Sequence, residues 1–189
     1  VRKALIVLVV VFLALPASAG KLAGVTLPDQ VSVGDKPLVL NGLGLREATV
    51  LMVDVYVAGL YVEAKSSDPA TILAPDQTKQ LVMRFMRSVG KEKLTEAWTE
   101  GFDKNAGEQR AALASDLAKL NGAMVDVKKE DRITLTYQPD TGVTVSVKGK
   151  DDVVIPGADF QRALFSIWLG PDPPNVSLRE GLLGHAPAN

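Results

Sequence analysis

The chain is 189 residues long and 47% hydrophobic, with one histidine and no cysteine, and its 21 Lys+Arg against 22 Asp+Glu give a formal charge of −1. That is enough chain to bury a substantial core and too apolar for wholesale disorder. The missing cysteines exclude disulfides, thiol catalysis, Cys-ligated zinc and iron–sulfur clusters. A near-neutral balance without a basic block argues against nucleic acid as a partner.

The N-terminus reads Val1-Arg2-Lys3, an apolar run from Ala4 to Leu15, then Pro16-Ala17-Ser18-Ala19-Gly20. A cationic start, a short apolar run and a small-x-small end form the pattern of a secretory signal peptide, and the run falls short of the roughly twenty apolar residues that cross a bilayer. The expectation is therefore a signal peptide over 1–19, cleaved near Ala19, and one domain over 20–189 in a periplasm or secreted. An initial Val is expected of a non-AUG start codon, a bacterial habit. No later segment is apolar enough for a span, so the mature chain is not expected to insert stably in a membrane.

Along the mature chain, Val31-Ser-Val, Gly34-Asp-Lys-Pro37 and Leu38-Val-Leu read as strand, turn, strand. Asn41-Gly-Leu-Gly44 reads as a flexible break before Leu45-Arg46. Thr49 to Ala64 is apolar at nearly every position, as expected of a central strand covered on both faces, with Gly59 marking a bulge or a close approach by another backbone. Asp68-Pro69 caps a short helix. Thr78 to Val89 is a strand with Leu81, Met83 and Phe85 on one side and Arg84 on the other. Ser88 is placed to cap a helix carrying Lys91, Leu94, Ala97, Trp98 and Phe102 at helical spacing, followed by a second helix over Glu108–Leu120. Arg132–Tyr137 and Val143–Val147 alternate as a hairpin, Asp159–Leu169 is a helix stopped by Gly170-Pro-Asp-Pro-Pro174, and Ser177–Leu183 is a last short helix. Strands with helices packed against them make this an α+β fold on an antiparallel sheet.

The residues offer no evident catalytic machine. His185 stands alone in a tail, Asp151-Asp152 is too slight for a metal site, Gly42-Leu-Gly44 lacks the third glycine of a phosphate loop, and no serine sits in a G-x-S-x-G elbow. Neither cofactor nor metal is expected. Polar groups among apolar neighbours remain: Arg46, Tyr56 and Arg84. Arg46 and Tyr56 meet only if the chain turns back around Val50 to Met52. Together in an apolar cleft, a guanidinium fork and a phenol suit a carboxylate or an enolate. The competing reading is an Arg46–Asp54 ion pair at a sheet edge. Arg84 is a candidate to face the same cleft, and Arg87 is expected in solvent. Met52, Met83 and Met86 fit either a pocket lining or ordinary core.

Three stretches resemble the chalcone isomerase superfamily: Asn41-Gly-Leu-Gly-Leu-Arg46 running into DVYVAGLYVEA (from Asp54), MRFMRSVGKEKLTEAWTEGF (from Met83) and IPGADFQRALFSIWLG (from Ile155). The likeness spans about residues 22–184 and is nearest to the bacterial, exported chalcone isomerase-like members. It implies an open-faced β-sandwich, a large antiparallel sheet covered by helices with a ligand cleft between. Arg46 matches the family arginine, which in the catalytic branch holds the phenolate nucleophile as a preorganised cation, while a threonine and a tyrosine support the water network that serves the developing enolate. Tyr56 stands where that branch has threonine, and Gly90, Ala97 and Ile167 stand about where it has further polar residues. The pattern is similar instead to the non-catalytic fatty-acid-binding branch. It implies a fatty acid or similar apolar carboxylate held by Arg46 and Tyr56, its tail in an apolar tunnel, and Arg84, placed by strand alternation, is a third candidate for the head group. The alternatives are an isomerase (intramolecular lyase) on an enone, using Arg46, and an envelope protein with a partner role.

Overall fold

The computed structural model describes residues 19–48 and 53–185. The signal peptide expected over residues 1–19 and the turn expected around Val50 to Met52 fall, but for Ala19, outside the described residues. In chain order come β1 (Ala19–Leu22), β2 (Val25–Pro28), β3 (Gln30–Val33), β4 (Lys36–Ala48), β5 (Val53–Val62), α1 (Pro69–Leu73), β6 (Lys79–Phe85) and α2 (Lys91–Asn105). A 3-10 turn (Gly107–Arg110) precedes α3 (Ala114–Gly122), β7 (Arg132–Gln138), β8 (Gly142–Val147), β9 (Lys150–Ile155), α4 (Ala158–Leu169) and α5 (Val176–Leu182).

Strands β3 to β9 form one sheet in sequence order, every neighbour antiparallel, while β1 and β2 form a separate hairpin. Alternation along the strands sends residues to two layers. Ala58, Leu60, Leu81, Met83 and Leu135 meet Phe102 of α2 and Phe160 and Leu164 of α4 in the larger core. On the other face Leu40, Tyr61 and Val82 pack with Leu27 of the β1–β2 hairpin, where the Tyr61 hydroxyl donates to the Pro28 carbonyl at 2.9 Å. This is the α+β open-faced architecture expected from the sequence, and β5 is buried on both faces from Val57 to Val62.

Some boundaries differ for identifiable reasons. Asn41–Gly44 is no break but the middle of β4, which runs thirteen residues. Its glycines serve close approach: a Cβ at Gly42 would lie 2.0 Å from the Gly181 carbonyl oxygen, and one at Gly44 would lie 2.4 Å from that of Leu178. Helix α5 therefore rests backbone-to-backbone on β4. Gly59 admits Leu27, whose Cδ1 would stand 2.6 Å from an added Cβ; the approach is by a side chain of the hairpin. Helix α2 begins at Lys91 with Gly90 as its N-cap, and Asp126, not Ser88, takes the Lys91 N–H at 2.8 Å. Leu94, Trp98 and Phe102 are buried as expected, whereas Lys91 and Ala97 face solvent. The helix expected over Glu108–Leu120 is split between the 3-10 turn and α3. Asp68 does cap α1, accepting from Ala70 and Thr71 N–H groups. The sequence reading did not include β1, β2 or β9; β9 carries Asp151-Asp152, residue types depleted in strands.

Lys79 is fully buried in the helix-facing layer. Its ammonium donates to the Ala74 carbonyl at 2.6 Å and to Gln161 Oε1 at 3.1 Å, and it lies 4.8 Å from the Tyr137 ring centroid. It thus ties the end of α1 and the face of α4 to the sheet. Burial is the main cause that lowers its pKa from 10.5 to about 8, with Asp76 and Glu63 opposing and Arg162 assisting. The folded state therefore binds this proton more weakly than the unfolded chain. Its contribution should make stability rise between pH 8 and pH 10.5, as the native amine becomes neutral before the unfolded one does. The rise should be on the order of 2–3 kcal/mol. Urea denaturation across this range should show it in the wild type and not in Lys79→Met; parallel curves would refute it.

Gly42→Val should push α5 from its seat, costing about 1–3 kcal/mol as overpacking does. Gly122→Ala, with open space at its Cβ, should be neutral or slightly stabilising. Equal urea midpoints for wild type and Gly42→Val would show that the seat tolerates a side chain.

Candidate functional site

Strands β4 and β5 pair antiparallel, the arrangement Arg46 and Tyr56 required in order to meet. Arg46 lies directly opposite Tyr56, and Tyr56 lies opposite Phe85 of β6, so the three form one row across three strands. The row is on the helix-covered face, at the end of β4 beyond the glycine seat. Arg46 and Tyr56 are both partly buried.

The guanidinium of Arg46 donates through Nη1 to Asn175 Oδ1 at 2.9 Å and to the carbonyl of Glu47. Both acceptors are neutral. Among the described residues no carboxylate lies within 4.0 Å of Arg46, and the ion pair with Asp54 considered from the sequence does not form; Asp54 is the register partner of Glu47. A register shift between Arg46 and Glu47 marks a bulge, which re-aims the strand end. Lys104 at the end of α2 is near enough for the two cations to affect each other.

The Tyr56 hydroxyl accepts from Trp168 Nε1 of α4 at 2.9 Å, and its ring meets Phe85 edge-on at 5.6 Å. Burial raises the Tyr56 pKa above its ordinary value, and the Trp168 hydrogen bond and the charge of Arg46 offset this only in part. At neutral pH Tyr56 is therefore a phenol whose own proton is available to an acceptor. Trp168 in turn packs edge-on against Trp98 of α2 at 5.7 Å. Trp98 is buried, and its indole N–H has no hydrogen-bond partner among the described residues.

Arg84 does not join this group. It is the register partner of Val57 and Arg132, on the opposite sheet face from Tyr56 and Phe85, and its guanidinium pairs with Glu130. That carboxylate's pKa is lowered by the hydrogen bond and charge of Arg84. Arg87 is exposed, Met83 is core, and Met52 lies outside the described residues. The residue that the sequence reading missed is Asn175, 129 positions from Arg46. Only its place directly after Gly-Pro-Asp-Pro-Pro, at the head of a short helix, marks it.

Neither of two surface depressions borders Arg46 or Tyr56. A polar one of about 510 Å³ lies between α2 and α3, at Thr95, Thr99, Asp103 and Asn121. A second, of about 240 Å³, lies at Asn41, Ser66 and Gly184. The layer behind Tyr56 is instead occupied by Phe85, Trp98 and Trp168. Among the described residues no cluster of three or more His, Cys, Asp or Glu could hold a metal ion, and no helix is long and apolar enough to cross a membrane.

The chalcone isomerase-like family profile matches residues 19–184. The chain belongs to the chalcone isomerase-like family. No curated protein sequence matches it. Among solved structures, the fatty-acid binding protein AtFAP1 of Arabidopsis thaliana is similar in fold, with a TM-score of 0.64 and 18% identity over 88% of this chain and 96% of that one. In this chalcone isomerase-like chain the arginine and the tyrosine ten residues on are one cross-strand pair, set where the sheet, α4 and the segment before α5 converge.

Proposed function

We propose that this chain binds an apolar carboxylate, a fatty acid or close relative, with Arg46 and Tyr56 holding the head group. One observation carries the reading: a partly buried guanidinium, paired across the sheet with a phenol, has only neutral acceptors among the described residues. A carboxylate is a better partner, because charge-assisted and bidentate bonds are roughly twice as strong as neutral ones. The phenol adds one donor. Since its pKa is raised, Tyr56 is suited to donate a hydrogen bond and poorly suited to act as a base near neutrality. The fold shared with a protein named for fatty-acid binding supports the same ligand class. Export to an envelope compartment is part of the proposal, supported by the cationic–apolar–small pattern of residues 1–19 and by a family match that begins at residue 19.

Protein purified without denaturation and extracted with solvent should yield acyl carboxylates by mass spectrometry. Arg46→Ala should weaken rebinding of laurate by about 1.5–3 kcal/mol, the scale of a hydrogen bond to a charged group. An extract free of lipid, together with an affinity indifferent to Arg46, would reject the proposal.

A further inference from the structure

Between α4 and α5 runs Gly170-Pro171-Asp172-Pro173-Pro174-Asn175, a strap stiffened by three prolines and fastened at both ends. At one end Asn105 of α2 grips Asp172: its Nδ2 donates to the Asp172 carbonyl at 3.1 Å, and its Oδ1 accepts the Asp172 N–H at 3.2 Å. At the other, Asn175 Oδ1 accepts from Arg46 Nη1 at 2.9 Å and from the Glu47 N–H at 3.2 Å. Beyond the strap, α5 is seated on β4 through Gly42, Gly44 and Gly181, and Arg179 Nε donates to the Leu169 carbonyl at 3.1 Å.

Asn175 is also the N-cap residue of α5, with extended backbone (φ −147°, ψ 137°), yet its side chain makes no capping hydrogen bond. An asparagine there ordinarily accepts from an N–H of the helix's first turn. Here the same oxygen is turned outward to Arg46 and Glu47. One side chain thus has two competing uses, and the one adopted engages the guanidinium.

We infer that Asn175 is a resident, neutral stand-in for the ligand head group: an anionic ligand reaches Arg46 by displacing the Asn175 amide, which then turns to cap α5. The inference rests on the ligand reading above and adds its gate. A neutral amide can be displaced by a carboxylate because the carboxylate makes the stronger bond to guanidinium. The vacated amide is not left unsatisfied, since the first turn of α5 offers unpaired N–H donors. Glycine contacts hold α5 itself in place, so the movement is confined to Asn175 and the strap.

Isothermal titration of sodium laurate, below its micelle concentration, into wild type, Asn175→Ala, Asn175→Asp and Arg46→Ala tests this. Asn175→Ala removes the competitor and should bind laurate several-fold more tightly. Asn175→Asp keeps the capping chemistry but gives Arg46 a permanent anion, and should weaken laurate at least about tenfold, the scale of a charge-assisted bond. Thermal unfolding reports whether each variant is folded; if Asn175→Asp is not, Asn175→Ala decides alone. Laurate bound by Asn175→Ala and not by wild type would also support the gate. Binding that depends on Arg46 but stays within twofold in the Asn175 variants would overturn the gate and leave the ligand reading intact. No binding by wild type or by Asn175→Ala would overturn both.

Discussion

Taking a charge partly out of water costs free energy that a neutral oxygen recovers only in part, and Arg46 is in that position. Its guanidinium sits at the margin of a packed apolar layer, facing an amide and a peptide carbonyl. Arg84, two strands away on β6, shows the ordinary solution, an acid of its own in Glu130. The contrast between two arginines of one sheet, one satisfied by a carboxylate and one not, sets the two faces apart in chemistry as well as in packing.

What holds Arg46 there is backbone. Gly42 and Gly44 let the backbone of α5 come close to that of β4, which fixes the strap leading into α5 over the end of the strand. The bulge after Arg46 interrupts the ladder at that point, and pairing resumes at Glu47 with Asp54. Tyr56 is fixed from three sides: by its pairing with Arg46, by the Phe85 ring, and by the Trp168 indole from α4. Helix α4 is buried along nearly its whole length after Asp159, only Arg162 facing solvent, so Trp168 is among the least movable groups in the molecule. A phenol fixed in this way beside an arginine held by neutral acceptors is the division of labour that the proposed head-group site needs.

Much of this was legible in the sequence. Alternation in Arg132–Tyr137 and Val143–Val147, the Asp68-Pro69 start and the apolar run of β5 each follow from local rules that tertiary packing did not overturn. The Arg46–Tyr56 meeting was legible only as a condition, that the chain turn back between them; pairing of β4 with β5 meets it. What was not legible depended on partners distant in sequence. Glycines at 42 and 44 read as slack because the helix that presses on them lies some 140 residues on. Arg84 was correctly set opposite Leu81, Met83 and Phe85, but period-two alternation alone does not say which face the cleft is on. Asn175 carries no pattern of its own. Lys79 and Gln161, a buried polar pair, had no local signal either.

The central claim is that an ionised carboxylate takes the place of the Asn175 amide at Arg46. Laurate isotopically labelled at its carboxyl carbon reports this directly by NMR, through the pH dependence of its bound resonance. The account expects a bound resonance that keeps its carboxylate position well below the pH at which the free acid protonates, and that loses this protection in Arg46→Gln. A bound resonance that titrates like the free acid, or one unchanged by Arg46→Gln, would contradict it.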